Sequence, residues 1–497
     1  MISASVWTLL IIAAGHHYVL GSEPSDGPSE SEQVSDSPQP QLLPDTNALF
    51  LTPLIDDCKY HEAREQSRVP DFLQVNVTAH SGYITVNRTA GSYFFFVLTE
   101  VEGNSSTAPL LLWTQGGPGL SSLFGLFLEN GPWAVEMYSN LTPYARPRMN
   151  TLQKNMSVLY VDVPVGAGFS FTNDSQNGYP KSLEDIVEHM VEFLQQFLMV
   201  FSEYRGRDFY LGGESYGARY SVAVAEQLLK DPKNVTLKYR GVISGSGFLG
   251  PVLDIAESSS FLYQMSMVNE SGRDTFKKQF ELMKALAANQ STVQSALYLL
   301  ISTIFTNPDT PTLFQNVTYF NDHASPMFTE RPLIMYACVK FLNSSTFKNL
   351  IHVGETNFQY NNKLLLRSFA SDWLRDINSM VETVLNKSSM LFYIGQLDTL
   401  FPSVNQQTYL ETLKWVHAAE YNRTPRELWS KPGAYGGDAY IKKVDNFTQA
   451  VVLGMSHYSS AEKPDEVYYL INEFVAGLSS SPKDEEAKGR VQAPTAQ

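Results

Sequence analysis

The sequence is short of cysteine, of positive charge and of long apolar runs. Its 497 residues include two cysteines, Cys58 and Cys338, and 36 lysines and arginines against 51 aspartates and glutamates. A chain of this size with 43% hydrophobic residues can bury a core that does not depend on a disulfide. One disulfide and two buried free thiols are therefore both compatible with these cysteines. The net charge of −15 argues against nucleic acid and anionic membrane surfaces as partners.

Beyond the N-terminus, no apolar run approaches the ~18 residues of a membrane span. The run Ser5–Ala14, with Gly21 after it, predicts a signal peptide over residues 1–21. No lysine or arginine precedes the run, so an uncleaved interfacial segment is the alternative. Fourteen Asn-X-Ser/Thr sequons between Asn76 and Asn446 indicate the secretory pathway and a glycosylated product, secreted or lysosomal. Which sequons carry glycan stays open.

Two polar segments flank the part of the chain that we expect to fold. Residues 22–45 are rich in serine, proline and acidic residues and predict a disordered linker or pro-segment. Residues 479–497 predict a disordered tail. We expect residues 46–478 to form one folded domain.

Buried strands alternate with amphipathic helices inside that domain. A hairpin is predicted over 80–98, and Leu183–Phe201 keeps helical spacing, with His189 on its polar side and therefore expected in solvent. The predicted central strands are Leu110–Trp113, Ser157–Val163, Asp208–Leu211, Gly241–Ser244, Met390–Gly395 and Ala450–Gly454. Because these runs are apolar throughout, they favour parallel strands covered on both faces. The regular alternation of strands and helices predicts a doubly wound α/β fold. This alternation stops after Gly250, which predicts a largely helical cap insertion over about 251–350.

The stretch Gly213-Glu214-Ser215-Tyr216-Gly217 follows a predicted strand and precedes a predicted helix. This is the context of the nucleophile elbow of the α/β-hydrolase fold, in which the serine sits on a sharp turn. The helix N-terminus directs free N–H groups and a positive dipole end at the site. Ser215 is therefore the candidate nucleophile.

A serine hydroxyl needs an adjacent base, and this fold supplies the acid and then the histidine later in the chain. Asp398 directly follows the strand Met390–Gly395, and His457 follows the strand Ala450–Gly454. For His323, His352 and His417 we expect structural or surface roles, because none stands in such a position. The predicted triad is Ser215, Asp398 and His457.

An oxyanion hole needs two N–H donors. The fold places one at Tyr216, the residue after the nucleophile, and the other in the loop after an earlier strand. The loop Thr114–Gly119 reads Thr-Gln-Gly-Gly-Pro-Gly, and its glycines allow the backbone to approach a ligand.

Several motifs resemble the serine carboxypeptidase family, and most closely its vitellogenic-like carboxypeptidase branch. They are Trp113–Ser122, Glu129–Pro132, Asp162–Ser170, Gly213–Tyr216, Ile351–Gly354 and Gly395–Asp398. The resemblance implies a hydrolase that removes the C-terminal residue of peptides or proteins, without a metal or cofactor. It also implies that Gly117 and Tyr216 supply the oxyanion donors. The terminal carboxylate of the substrate would be held by Gln115, Gly116, Glu129 and Glu214.

Carboxyl groups that meet a carboxylate must share protons, so the resemblance implies hydrolysis favoured at acidic pH. The chain departs from the family pattern at Gln115, Ala218 and Ser456, and at Leu120, where a cysteine is frequent.

An esterase or acyltransferase with the same triad is the alternative enzyme, and a catalytically silent binding or storage protein is the alternative outside enzymes. The preferred C-terminal residue and the oligomeric state, including a homodimer, stay open.

Overall fold

The computed structural model describes residues 48–71, 75, 77–233, 235–289, 291–305 and 310–479. The predicted signal peptide, the predicted linker and residues 480–497 of the predicted tail lie outside the described residues. The strands are β1 Arg68–Val69, β2 Ala79–Asn87, β3 Ser92–Thr99, β4 Leu110–Thr114, β5 Trp133–Met137, β6 Pro143–Pro147, β7 Ser157–Val161, β8 Phe171–Thr172, β9 Asp208–Glu214, β10 Lys238–Gly245, β11 Ser389–Gly395, β12 Glu427–Trp429, β13 Ala439–Val444 and β14 Phe447–Val452.

Twelve of these strands form one sheet in the order β1-β2-β3-β7-β4-β9-β10-β11-β14-β13-β12, and β8 pairs with β3. The six strands from β7 to β14 in this order are parallel neighbours, while the outer strands pair antiparallel. β5 and β6 form a separate antiparallel pair. The predicted α/β class with a mostly parallel sheet is confirmed.

Sixteen α-helices accompany the strands in the described part of the chain. They are α1 Thr52–Asp56, α2 Tyr60–Gln66, α3 Leu183–Val200, α4 Gly217–Lys230, α5 Val252–Ile255, α6 Ser259–Gln264, α7 Glu270–Ala287, α8 Val293–Ile304, α9 Leu313–Thr318, α10 Leu333–Leu342, α11 Ser345–Leu350, α12 Lys363–Phe369, α13 Asn378–Lys387, α14 Ser403–Thr412, α15 Ala418–Arg423 and α16 Pro464–Ser479. All described helices from α5 to α13 lie between β10 and β11, so the helical region continues past residue 350. The limits of a cap within it stay a prediction.

Side chains of the central strands alternate between two apolar layers. Leu110 and Leu112 of β4 pack into the layer that contains α3 and α4. Leu111 and Trp113 of the same strand pack into the layer that contains α16. Each central strand is therefore covered on both faces, which is the physical reason for its uninterrupted apolar sequence.

His189 on α3 is not in solvent, and that expectation was wrong. Its side chain is buried and meets the ring of Phe94 on β3 edge to face, with centroids 6.0 Å apart. Burial lowers the pKa of His189. The helix lies against the β-hairpin, so it buries a wider stripe than its apolar residues alone mark.

Both cysteines are free thiols. Cys338 is buried, as expected for an unpaired thiol, but Cys58 is exposed. Burial raises the pKa of the Cys338 thiol, which makes it unreactive.

Over the residues that the structure describes, no helix combines the length and the apolar character that crossing a bilayer would require.

Candidate active site

Ser215 stands on a sharp turn between β9 and α4. Its backbone has a φ of +53°, a left-handed conformation that non-glycine residues rarely adopt. The turn is tightly enclosed, because a Cβ on Gly213 would lie 2.3 Å from the carbonyl carbon of Gly217, and one on Gly217 would lie 2.5 Å from the oxygen of Thr114. Glycine is therefore required on both sides of Ser215, as the elbow motif predicts.

The structure brings Ser215, His457 and Asp398 together. His457 Nε2 lies 3.1 Å from Ser215 Oγ, and His457 Nδ1 lies 2.8 Å from Asp398 Oδ2. The three residues follow β9, β14 and β11, whose carboxyl ends share one edge of the parallel sheet. This common edge explains how residues separated by up to 242 positions meet at one point.

Asp398 is held rigidly for its contact with the imidazole. Its side chain is fully buried, and its Oδ1 accepts hydrogen bonds from the N–H groups of Leu400 at 2.9 Å and Phe401 at 2.8 Å. Its second oxygen is thereby left for His457. The ring of His457 also contacts the ring of Phe401, with centroids 5.5 Å apart.

Two backbone amides beside Ser215 are available as donors. Tyr216 begins the turn into α4, and Gly117 lies in the loop after β4. Neither N–H donates to an acceptor in the described part of the chain. The loop approaches the elbow so closely that a Cβ on Gly116 would lie 2.6 Å from Ser215 Cβ and 2.8 Å from Tyr216 N.

A buried pair of carboxyl groups lies next to the nucleophile. Trp113 Nε1 donates to Gln115 Oε1 at 3.3 Å, which orients the amide so that Gln115 Nε2 donates to Glu129 Oε1 at 2.8 Å. The Oε2 atoms of Glu129 and Glu214 are buried and have no hydrogen-bond partner among the described residues. Glu129 and Glu214 are close enough to hydrogen-bond to each other once one of them is protonated, so the pair favours a shared proton or a proton-donating ligand.

The electrostatics of the pair agree with that geometry. Burial raises the pKa of Glu129. Burial, followed by the negative charge of Glu129, raises the pKa of Glu214 well above its ordinary value. A second ionisation beside the first is opposed both by desolvation and by repulsion, so the pair retains a proton into a less acidic range than isolated glutamates.

A cavity of about 300 Å³ opens onto Ser215 and this carboxyl pair. Its polar lining includes Gln115, Gly116, Glu129, Glu214 and His457, and its apolar wall includes Leu120, Phe124, Leu128, Met335 and Val339. All nine residues that the sequence predicts for the site are thus in or beside one cavity.

The helical region contributes residues that the sequence motifs do not reveal. His323, for which we expected a structural or surface role, is buried and lines the cavity. Burial, then the charges of Arg331 and His457, lower the pKa of His323 well below its ordinary value. Its neighbour Ala324 accepts the N–H of His457 at 3.1 Å. No local pattern marks these residues, because their position depends on how the region folds back over the sheet.

His352 and His417 have other contacts. His352 Nδ1 lies 2.8 Å from Ser81 Oγ, and His417 Nδ1 lies 3.0 Å from Glu420. Neither lines the cavity beside Ser215.

Comparison with known proteins agrees with these features. The family profile described as serine carboxypeptidase matches residues 70–477. This chain belongs to the serine carboxypeptidase family. It is a hydrolase of that class, as the motifs around Ser215 predict, and its mostly parallel sheet has the α/β-hydrolase fold.

Relatives of known name cover most of the chain. The probable serine carboxypeptidase CPVL of Homo sapiens is 31% identical over 87% of this chain and 90% of its own length. The venom serine carboxypeptidase of Apis mellifera is 31% identical over 86% and 90%. The vitellogenic carboxypeptidase of Aedes aegypti is 29% identical over 86% and 89%. These relatives agree with the branch that the motifs resemble.

A solved structure shows the same fold. Kex1(Δ)p, a prohormone-processing carboxypeptidase from Saccharomyces cerevisiae, superposes with a TM-score of 0.69 at 17% identity, over 83% of this chain and 96% of that one. At this level of identity the likeness concerns the fold.

Proposed function

We propose that this protein removes the C-terminal residue of peptides and proteins through a triad of Ser215, His457 and Asp398. The observation that carries the proposal is the continuous hydrogen-bond chain from Ser215 Oγ through His457 to buried Asp398. Membership of the serine carboxypeptidase family supplies the class of substrate.

In the proposed mechanism, His457 Nε2 accepts the proton of Ser215 as Oγ attacks the last peptide carbonyl. Asp398 holds the imidazole with its Nδ1–H directed at the carboxylate and stabilises the imidazolium that forms. The N–H groups of Gly117 and Tyr216 donate to the oxyanion. His457 then gives its proton to the leaving amine, and a water molecule, activated by the same imidazole, hydrolyses the acyl-enzyme.

The carboxyl pair gives the site its preference for a free C-terminus. We propose that Gln115 and Gly116, together with the proton shared by Glu129 and Glu214, hold the terminal carboxylate of the substrate by donating hydrogen bonds to it. The support is the pair of buried Oε2 atoms without partners. An esterase has no need of such a carboxyl pair, and this favours the peptidase.

The same pair predicts activity favoured at acidic pH. Because the pKa values of Glu129 and Glu214 are raised, the shared proton is present at low pH and is lost as the pH rises through them. Ionised glutamates would repel the substrate carboxylate.

Exposed side chains at sequons such as Asn140, Asn173 and Asn422 are compatible with the proposed route through the secretory pathway to a secreted or lysosomal location.

The test combines labelling with product analysis. A fluorophosphonate should label the purified protein at Ser215, and the protein should release single C-terminal residues from a peptide library at pH 4.5. Ser215→Ala should abolish both. Ser221→Ala is a matched control, because Ser221 is buried on α4 and donates to Gly217 O at 3.1 Å without facing the imidazole. Absence of labelling would favour the silent binding or storage protein and overturn the proposal.

A further inference from the structure

One arginine lines the cavity without an ion pair within 4 Å among the described residues, although its charge acts on the buried carboxyl group of Asp322. Arg331 lies directly before α10 and forms part of the same cavity wall as Ser215 and Glu214. Its Nε is buried and has no hydrogen-bond partner, and no described carboxylate lies within 4 Å of its guanidinium. Arg375, in contrast, pairs with Glu184 at 2.6 Å.

Asp322 and Glu330 are the acidic residues to consider as partners of Arg331, and the Oδ2 atom of Asp322 is buried without a hydrogen-bond partner. Asp322 Oδ1 accepts from the N–H of Ala324 at 3.0 Å and from the hydroxyl of Tyr458 at 2.9 Å. Burial raises the pKa of Asp322 to about 6 even though the charge of Arg331 opposes this shift. Glu330 accepts from Asn321 at 2.8 Å on the surface. As the pH falls through the pKa of Asp322, this carboxyl group loses its charge, and Arg331 is then left without a charged partner on this wall.

The position of Arg331 relative to a substrate follows from the proposed carboxypeptidase mechanism. Glu129 and Glu214 mark the place of the terminal carboxylate, and His457 marks the place of the leaving amine. Tyr458, the residue after His457, also lines the cavity, where burial raises the pKa of its hydroxyl and the charge of Arg331 lowers it by a smaller amount.

Arg331 directly precedes α10, whose Met335 and Val339 line the apolar wall. Burial, followed by the charge of nearby Glu129, raises the pKa of the Cys338 thiol on the same helix, so this wall adjoins the proposed place of the terminal carboxylate, on the side of the residue that leaves.

We propose that Arg331 selects substrates whose C-terminal residue is glutamate or aspartate. This inference rests on the proposed function and names its substrate class. The guanidinium presents a rigid fork of N–H donors that matches a carboxylate in two-point contact. An apolar pocket with one unpaired cation favours a side chain that brings both apolar length and a negative charge, and it disfavours lysine and arginine by repulsion.

The experiment compares N-blocked dipeptides that end in glutamate, glutamine or leucine, at pH 5.5, where a free glutamate side chain is ionised. Glutamine matches glutamate in shape but lacks the charge. The wild-type protein should have a kcat/KM at least about tenfold higher for glutamate than for glutamine, since a charged hydrogen bond is worth ~1.5–3 kcal/mol. Arg331→Gln should reduce that ratio to about one, while leucine release continues and reports that the variant is folded.

Two further variants sharpen the assay. Arg331→Lys keeps the positive charge but loses the two-point donor geometry of the guanidinium, and it should retain part of the preference for glutamate over glutamine. Arg375→Gln removes an arginine that pairs with Glu184 and does not line the cavity, and should leave the ratio unchanged. Equal kcat/KM for glutamate and glutamine in the wild type, or an unchanged ratio in Arg331→Gln, overturns the inference alone. No release from any of the three dipeptides overturns the proposed function and the inference with it.

Discussion

Replacement of Asp398 by asparagine tests the geometry of the proposed triad most directly. The amide oxygen of an asparagine can still accept the N–H groups of Leu400 and Phe401, which Asp398 Oδ1 accepts at 2.9 and 2.8 Å. The amide nitrogen then replaces Oδ2, which lies 2.8 Å from His457 Nδ1. Two donors cannot face each other, so the imidazole takes the tautomer with its proton on Nε2 and cannot accept the proton of Ser215.

The size of the effect follows from burial. The carboxylate is fully shielded from water, so no solvent replaces its interaction with the imidazolium in the transition state. We expect kcat/KM for a blocked dipeptide to fall about 10³-fold to 10⁴-fold, which corresponds to about 4–5.5 kcal/mol. The melting temperature should change little, because both backbone donors keep an acceptor.

The assay measures dipeptide hydrolysis and the rate of fluorophosphonate labelling of Asp398→Asn. Asp372→Asn is the control, since Asp372 is also buried but accepts from the N–H of Leu183 at 3.2 Å rather than from a histidine. If Asp398→Asn retained more than a tenth of wild-type kcat/KM while folded, Asp398 would not orient the base, and our assignment of the triad would be wrong.

Two further predictions concern the surroundings of Ser215. The double variant Glu129→Gln, Glu214→Gln should show a weaker rise of peptidase activity towards low pH, because amides donate hydrogen bonds without titrating; an unchanged pH profile would contradict the proposed carboxyl clamp. Gly116→Ala should abolish labelling of Ser215, because its Cβ would lie 2.6 Å from Ser215 Cβ and 2.9 Å from the oxygen of Glu214, and normal labelling of this variant would show that the loop can move away.

The placement of the proposed triad could be predicted because it depends on topology. Ser215, Asp398 and His457 each follow an apolar run that forms a central parallel strand, and the ends of such strands meet at one edge of the sheet. Strand positions are visible in the sequence because these strands are buried on both faces. The positions of loops after them follow without any knowledge of side-chain packing.

The cavity wall and the environment of His189 could not be predicted in the same way. Arg331 and His323 belong to the helical region between β10 and β11, whose path across the sheet is set by tertiary packing. The burial of His189 depends on the β-hairpin that covers α3, which periodicity within the helix does not show. Sequence patterns report which face of an element is apolar, but not how much of the remaining surface a neighbour covers.

The departures from the family pattern beside the proposed triad are accommodated by neighbouring residues. The Cβ of Ala218 is buried against Gly247, where a second Cβ would lie only 2.5 Å away, so the methyl group added at one position occupies the space left at another. The hydroxyl and N–H of Ser456, beside His457, both donate to Glu462, at 2.9 and 2.7 Å. Both changes add contacts without removing a donor, an acceptor or a nucleophile from the site.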